Sequence, residues 1–395
     1  MIKRKKKNKE HNPFYDPTLK KRHVSAKRFK KFTLTSLIFS VAFLAFFLFD
    51  MIGKGIPAFN IAYIKVDVTF NEKTLEDTRF AVPTEYRNLV SRAALRDLPK
   101  LLEENPTYMN STQNIWILAS SQVDQYIKNH NHNLKDKDIA KVDELYAQGL
   151  IDKKFNAIFF ENGDSKIPEY AGIFSAVIGS ILTLIITMAV AFPIGVMTAI
   201  YLEEFAGDNK FTRFIEININ NLAAIPSILF GLLGLAIFIN LFGMPRSSPL
   251  VGGLTLALMT LPIIIVSSRA ALRAVPDSIR QAGYGLGLNK IQVTRDHVLP
   301  LAFPGIMTGS IIGLAQAMGE TAPLIIIGMI AFIPDAPSMV TQAATVMPAQ
   351  LFTWAGMPEG MYIEKTAAGI LVLLTILISL NAIAIILRKK LEVKW

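Results

Sequence analysis

Two polar side chains interrupt a long apolar run near residue 320, and they are the residues of this chain best placed to do chemistry. Gln316 and Glu320 are four positions apart and would share one face of a helix, and Thr321 follows directly. Polar or ionised groups deep in a membrane segment usually face a partner or an aqueous path. We therefore predict that these three residues line a translocation path. Pairing of Glu320 with a basic residue of another subunit is the alternative.

Two arginines near the end of an earlier apolar run are a second candidate for the path. Arg269 and Arg273 are one helical turn apart. They could receive an anion as it leaves the membrane. The alternative is that their long side chains reach out to lipid headgroups at the interface.

Small residues recur every four positions in the run that carries Gln316. They are Gly305, Gly309, Gly313 and Ala317. Such a face lets a second helix approach closely, so we predict that it is a helix-packing face.

Six apolar runs are long enough to cross a bilayer, which requires about twenty residues each. An even number of spans puts both termini on one side, and the basic segments at the two ends of the chain place that side in the cytoplasm. Residues 1–31 hold thirteen Lys and Arg against two acidic residues, and Arg388, Lys389 and Lys390 follow the last run. The predicted spans are 32–52, 172–202, 219–242, 250–268, 303–333 and 367–387.

Composition independently excludes an ordinary soluble protein. Hydrophobic residues make up 51% of the chain and charged residues 18%, and the mean hydropathy is +0.38. The formal net charge of +10 is concentrated in residues 1–31, where it favours contact with anionic lipid and not with nucleic acid, because no aromatic platform accompanies it. The chain contains no cysteine, so disulfides and thiolate chemistry are excluded.

The segment 55–171 separates the first two spans and is predicted to be a folded extracytoplasmic α+β domain. Residues 61–70 alternate like a strand and 156–160 resemble another, whereas 85–102 and 139–150 have helical apolar spacing. His130 and His132 have no nearby third ligand, so we predict no metal site. We find no nucleophile–base pair that would indicate an enzyme.

The loop 278–300 enters the fifth span and carries three glycines close together. Ser278 and Gln281 have the spacing of a capping box. The glycines at 283, 285 and 287 then break the helix. A second short helix is predicted over 289–298, ended by Pro300. Two short helices hinged on glycines would form a lever that a soluble partner could grip.

This loop resembles the EAA loop of ABC-importer permeases. The Gly-Glu-Thr-Ala-Pro run at 319–323 resembles phosphate-specific permeases of the Pst system, and the segments 201–204, 225–227 and 350–354 are similar to its PstA subunit. The resemblance covers 172–395. The positions that correspond to the EAA pattern are Gln281, Ala282, Gly283, Gly287, Leu299 and Pro300, of which Gln281 and Gly283 differ in residue type from the pattern.

The resemblance implies an all-α membrane protein with six transmembrane helices of the type I ABC-importer kind, in which the α+β domain is inserted. It implies the permease subunit of a phosphate importer in the bacterial inner membrane, working with a second, PstC-like permease, two PstB-like ATPases and an extracytoplasmic phosphate-binding protein. No cofactor is expected, and ATP hydrolysis would belong to the ATPases. Two alternatives remain open: a permease for another oxyanion, such as sulfate or molybdate, and a membrane sensor.

Overall fold

The computed structural model describes residues 18–330 and 332–391 of the 395-residue chain. The first seventeen residues of the predicted basic tail therefore lie outside the described residues. The chain divides into two compact units, 1–53 and 54–395. The described part of the first unit is the long helix α1 (Leu19–Gly55), which is long and apolar enough to cross a membrane.

The inserted α+β segment, 55–171, folds around a three-stranded antiparallel sheet of order β2-β1-β3. Strand β1 is central and pairs with both of the others. Its alternate apolar side chains point into a core that it shares with the surrounding helices. The elements are β1 (Asn60–Phe70), α2 (Glu72–Glu76), α3 (Arg92–Arg96), α4 (Leu98–Glu104), β2 (Ser111–Leu118), α5 (Ser121–Ile127), α6 (Asp136–Ala147), β3 (Ile151–Phe155) and α7 (Ala157–Glu161).

Two details of this segment differ from the sequence prediction. The strand expected at 156–160 is wrong, because the side chain of Asn156 accepts a hydrogen bond from the Phe159 N–H at 3.2 Å and starts a helix there. The third strand lies just before it, at Ile151–Phe155. The helix expected over 85–102 is interrupted, and only its second half is helical, as α3 and α4.

Most of the described chain after residue 171 is helical and follows the predicted spans in outline. Short π-helical turns extend three of the helices, at Tyr201–Phe205, Leu235–Leu241 and Thr294–Val298. The helices are α8 (Phe174–Ile200), α9 (Lys210–Ala223), α10 (Ser227–Gly234), α11 (Pro249–Arg273), α12 (Asp277–Gly285), α13 (Lys290–Val293), α14 (Leu299–Gly319), α15 (Ala322–Ile326), α16 (Met347–Ala355) and α17 (Gly360–Leu391).

Five of the described helices are long and apolar enough to cross a membrane, and a bent pair of helices makes a sixth span if it is counted as one. That pair, 210–223 and 227–241, bends by 104° around Pro226. The third predicted span, 219–242, is therefore divided between two helices that meet at an angle. Pro226 stands before the first residue of α10 with extended ψ, where a proline interrupts a helix without leaving a buried donor unpaired.

The fifth predicted span, 303–333, is also shorter than its apolar run. Helix α14 ends at Gly319, and Glu320 has extended backbone (φ −77°, ψ 124°). Pro323 then lies in the first turn of the five-residue helix α15. The polar pair Glu320-Thr321 therefore lies in a break between two helices and not on a continuous helix face.

Candidate functional site

The glycine-rich loop is a compact pair of short helices, α12 and α13. Gly287 ends the first with φ +81°, a conformation that side chains with a Cβ rarely adopt. Gly283 is buried, and a Cβ there would lie 2.8 Å from Cγ2 of Val293 on the second helix. Two of the three glycines thus have separate purposes, since one turns the chain and the other lets α12 pack closely on α13.

Asn289, and not Ser278, starts a helix with a capping box. The Asn289 side chain accepts from the Gln292 N–H at 2.9 Å, and the Gln292 side chain accepts from the Asn289 N–H at 3.0 Å. Helix α12 has Pro276 at its N-cap, so Ser278 already lies inside the helix and the box predicted for it is absent. The capping box predicted at Ser278 is therefore wrong, and the box at Asn289 was not predicted.

Pro300 does not end the second loop helix, which corrects the sequence prediction. The chain continues from α13 through the π-helical turn Thr294–Val298 directly into α14, and Pro300 lies in the first turn of α14. A proline is tolerated there, where the helical register changes and its missing N–H is of little consequence. Leu299 and Pro300 therefore join the loop to the fifth span through continuous helical backbone.

The loop exposes apolar side chains to solvent. Gln281, Ala282 and Gly287 are exposed as well, whereas Gly283 is buried. Exposed apolar groups clustered on a short loop are typical of a surface that a partner covers. The exposed apolar side chains are Tyr284 (45% exposed), Leu286 (80%) and Ile291 (64%).

Arg280 fixes the loop to the membrane-spanning helices. Its Nη2 donates to Oε1 of Glu204 at 2.6 Å, and its Nε donates to Oε2 at 3.3 Å. The same guanidinium donates to the carbonyls of Leu272 at 3.0 Å and Val275 at 2.8 Å. The hydrogen bond to Glu204 raises the pKa of Arg280. One side chain thus joins α12 to the end of α8 and the end of α11.

Arg269 and Arg273 both bind Glu203, which precedes Glu204 in the turn after α8. Arg273 Nε donates to Oε1 of Glu203 at 2.7 Å, and Arg269 Nε donates to Oε2 at 3.4 Å. Arg269 also pairs with Glu216 of α9. The two arginines therefore tie α8, α9 and α11 together, and carboxylates already balance part of their charge. The sequence analysis did not predict that these carboxylates pair with the two arginines. The pair of adjacent glutamates directly after the predicted span 172–202 was the signal that could have indicated it.

The small residues of α14 lie against α11. A Cβ on Gly305 would be 2.6 Å from Cβ of Ala271, and one on Gly309 would be 1.9 Å from Oγ of Ser267. A Cβ on Gly313 would be 2.9 Å from Cγ2 of Thr260. Larger residues at these positions would push the fourth and fifth spans apart.

Gln316, Glu320 and Thr321 lie at the end of α14 and in the break after it. Gln316 is exposed, and Glu320 and Thr321 are half-buried. In the part of the chain that the structure describes, none of the three side chains makes a hydrogen bond or an ion pair. The helix after the break packs tightly on α10, since a Cβ on Gly231 would be 2.7 Å from Cα of Pro323. The two interrupted spans therefore meet beside these polar residues.

A second polar cluster, which the sequence analysis did not single out, joins the inserted segment to the start of α17. Glu364 accepts from Nε2 of Gln125 at 2.8 Å and from Nζ of Lys128 at 3.1 Å, and it also contacts Nδ1 of His130. The adjacent Lys365 is only 1% exposed and donates to the carbonyls of Ala171 at 2.6 Å and Glu169 at 3.2 Å. Two adjacent charges at the start of an apolar run were the signal for this junction.

Comparison with known proteins places this architecture in a family. Residues 191–393 match the family described as binding-protein-dependent transport system inner membrane component. Residues 16–86 and 81–136 match a domain of unknown function (DUF3333).

The named relatives include phosphate transport permeases. The phosphate transport system permease protein PstA of Yersinia pestis is 30% identical over 61% of this chain and 80% of its own length. PstA of Mycobacterium leprae is 36% identical over 40% of this chain and 52% of its own length. The chain spans about half the length of this relative and of PstA 1 of Mycobacterium tuberculosis.

Among solved structures, a chain of the MetNI methionine ABC transporter in an inward-facing conformation is 16% identical, with a TM-score of 0.45, over 56% of this chain and 98% of that chain.

The match to 191–393 covers half of the sequence. The chain therefore belongs to the family of inner-membrane components of binding-protein-dependent transport systems.

Proposed function

We propose that this chain is the PstA-type permease subunit of an ATP-driven phosphate importer. It would form half of the translocation path, and a second, PstC-like permease would form the other half. A pair of PstB-like ATPases would bind on the cytoplasmic side, and an extracytoplasmic binding protein would deliver inorganic phosphate. The names of the relatives support phosphate as the substrate.

The observation that carries the proposal is the exposed loop α12–α13, anchored at its base. It presents apolar side chains outward, whereas Arg280 ties its first helix to Glu204 and continuous helical backbone joins its second helix to α14. The exposed apolar side chains of the loop can bind a partner, and its base is fixed to the membrane helices. A movement of the partner would therefore be transmitted to those helices. A sensor without translocation would have no need of such a connection.

The orientation follows from the charge distribution. With the bent pair counted as one span, six described segments are long and apolar enough to cross a membrane, which would put both termini on the same side. The basic residues of 1–31 and the Arg388-Lys389-Lys390 end favour the cytoplasm for that side. The loop would then face the ATPases, and the inserted segment 55–171 would lie outside, between the first transmembrane helix at 32–54 and the permease core at 172–395.

We further propose that the break at Gln316, Glu320 and Thr321 borders the anion path. Its side chains lack partners within the described chain, and two interrupted helices meet beside it. Irregular backbone in a membrane segment is tolerated where it lines a cavity or contacts another protein. Arg269 and Arg273 would act at the base of the path as structural ties, since Glu203 occupies both.

The test is ATPase stimulation in a reconstituted complex of this chain with its second permease, ATPase pair and binding protein. Phosphate should stimulate hydrolysis and accumulate in vesicles, whereas sulfate and molybdate should do neither. Stimulation by sulfate or molybdate in place of phosphate would assign the chain to another oxyanion. A complex that assembles, binds ATP and moves no anion would favour the sensor alternative.

A further inference from the structure

All four arginines of the inserted segment 55–171 line one cavity. They are Arg79, Arg87, Arg92 and Arg96, and the cavity has a volume of about 690 Å³. The same segment contains ten lysines, none of which lines this cavity. The selection of arginine over lysine indicates a purpose for the guanidinium group itself, and not only for positive charge.

The clustering is notable because the segment as a whole is acidic. Residues 55–171 carry 14 basic and 17 acidic residues, a formal net charge of −3. The cavity has the opposite character, since Asp77 is the one acidic residue in its lining. Crowded like charges destabilise a fold unless counter-charges balance them. The lining of this cavity supplies one carboxylate for four arginines, so the counter-charges of the segment lie elsewhere.

The four arginines differ in how many contacts their guanidinium groups already make. Arg79 is paired with Asp77 at 2.7 Å. The guanidinium carbon of Arg87 lies 4.9 Å from the ring centroid of Phe80, and its Nε donates a long hydrogen bond of 3.4 Å to the Val82 carbonyl, which leaves its two Nη groups without a carboxylate. Arg92 and Arg96 are one turn apart and exposed, and neither forms an ion pair with any residue in 18–330 or 332–391. Three guanidinium groups are therefore available to a ligand.

A second cavity adjoins the first. It also has a volume of about 690 Å³, and Arg87, Asn88, Arg92 and Arg96 line both. Residues 166–169, which come shortly before α8 in the sequence, also line it. Two acidic residues, Asp138 and Glu169, also line the second cavity, and two lysines, Lys135 and Lys166, offset their charge.

We propose that Arg87, Arg92 and Arg96 form a binding site for phosphate groups. A guanidinium matches a phosphate with two parallel hydrogen bonds and is more weakly hydrated than an ammonium, so arginines are well suited to this ligand. Cavities of about 300–1,000 Å³ hold small molecules, so the groove has room for a phosphate group on a larger carrier. The phosphate group belongs either to the free ion or to a lipid headgroup, since both present the same chemistry and residues 166–169 of the second cavity come shortly before the apolar helix α8 in the sequence.

The site does not depend on the proposed function, because it concerns binding by this chain alone. The experiment therefore uses the purified full-length chain in detergent, without the ATPase. Equilibrium dialysis with labelled inorganic phosphate at constant ionic strength measures the free ion. Native mass spectrometry with phosphatidic acid and with diacylglycerol, which lacks the phosphate, measures the lipid.

The test variant is Arg92→Gln combined with Arg96→Gln, and its matched control is Lys73→Gln combined with Lys100→Gln. The control removes the same charge from exposed positions outside both cavities. The arginine variant should weaken phosphate or phosphatidic acid binding at least about tenfold, and the lysine variant should leave it unchanged. Arg92→Lys combined with Arg96→Lys should restore only part of the binding, because lysine restores the positive charge but not the planar guanidinium that can form two parallel hydrogen bonds. Arg79→Gln should have a smaller effect, since Asp77 already holds that side chain.

The outcomes separate the two sources and can overturn the proposal. Loss of dialysed phosphate identifies the free ion, and loss of the preference for phosphatidic acid over diacylglycerol identifies a headgroup. Equal losses in the arginine and lysine variants would show that only net charge matters and would overturn the site. Absence of binding of both ligands to the unmodified chain would overturn it too. Size-exclusion chromatography of each variant confirms that it is folded and monodisperse.

Discussion

Arg280 and Glu204 form a two-point contact that holds the loop to the membrane helices, although they are 76 residues apart in sequence. The Arg280 side chain is 16% exposed and that of Glu204 is 5% exposed, so the pair is largely shielded from water. Two carbonyls at the end of α11 accept further hydrogen bonds from the same guanidinium. A displacement of α12 must therefore also displace α8 and α11.

Replacing Arg280 with Gln should uncouple the loop while the spans stay folded. Glu204 would keep its charge without a partner, and breaking a largely buried pair costs up to about 3 kcal/mol. We expect phosphate-stimulated ATP hydrolysis to fall at least tenfold, roughly the effect of 1.4 kcal/mol, with unchanged membrane insertion. Transport assays on the reconstituted complex measure the loss.

The control for this prediction lies on the same loop. Arg295 pairs with Asp296 at 2.6 Å, but its side chain is 71% exposed, and exposed pairs contribute little. Arg295→Gln should therefore leave coupling close to the unmodified level. If the two variants reduce transport equally, the loop depends on its total charge and the anchoring role of Arg280 is wrong.

Gly287 should tolerate asparagine but not valine. Its φ of +81° is accessible to Asn at small cost, whereas a β-branched residue there is strained by about 1–3 kcal/mol. A Cβ at this position meets no atom within 4 Å, so any effect must come from the backbone and not from a clash. Copurification of the ATPase with this chain should fall for Gly287→Val and persist for Gly287→Asn.

Gly285 provides the comparison for Gly287. It is helical, and a Cβ there also meets nothing within 4 Å, so Gly285→Ala should keep the ATPase bound. Full copurification of Gly287→Val would show that the turn adapts to a side chain and that the left-handed conformation has no role in docking.

The sequence predicted the membrane spans and the glycine-rich loop because each depends on a pattern of residues that are close together in the chain. Long apolar runs and close glycines need no knowledge of distant residues. The breaks at Pro226 and Glu320 were harder to place, since an apolar run continues across each of them. The prediction that Pro300 ends a helix was wrong. Whether a proline breaks a helix depends on the local hydrogen-bond register, and the π-helical turn before Pro300 changes that register.

The ion pairs could not be predicted from local patterns. Arg280 pairs with Glu204 across 76 residues, and Gln125 reaches Glu364 across 239. Such contacts are fixed by how α8, α11 and α17 pack, and a single sequence does not contain that information. For the same reason the arginines at 269 and 273 looked free to bind an anion until Glu203 was placed beside them.

Asp164 should make stability depend on pH at the junction of the inserted segment and the core. Its Oδ1 accepts from Nε1 of Trp354 at 2.8 Å and from the Ser165 N–H at 2.9 Å, and burial raises the pKa of Asp164 to about 6. The folded state therefore binds this proton more tightly than the unfolded state, whose carboxyl has a pKa near 3.8. Stability contributed by this group should fall as pH rises from about 4 to about 6.

Asp164→Asn isolates that effect because its amide oxygen can accept both hydrogen bonds and does not titrate. Thermal unfolding in detergent from pH 4 to pH 7.5 should show a smaller decline for the variant than for the unmodified chain. The variant should be the more stable of the two at pH 7. Parallel pH profiles would mean that Asp164 has the same pKa folded and unfolded, and that burial does not disfavour its charge.

Glu320→Gln separates two roles for the unpartnered carboxylate in the break after α14. Phosphate near neutral pH retains at least one hydroxyl proton and sulfate has none, so a carboxylate can accept a hydrogen bond from phosphate but only repels sulfate. Glutamine keeps the size, removes the charge and adds a donor. If Glu320 selects for protonated anions, sulfate should begin to stimulate ATP hydrolysis in the variant complex while assembly stays normal.

An ion pair with the second permease gives a different result for the same variant. Losing that pair should reduce copurification of the two permeases and lower transport without changing the preference among anions. Asp208→Asn serves as the control, because it removes one carboxylate charge at an exposed position far in sequence from the break. Normal assembly together with unchanged rejection of sulfate in Glu320→Gln would rule out both roles and leave the carboxylate as a group that only borders the path.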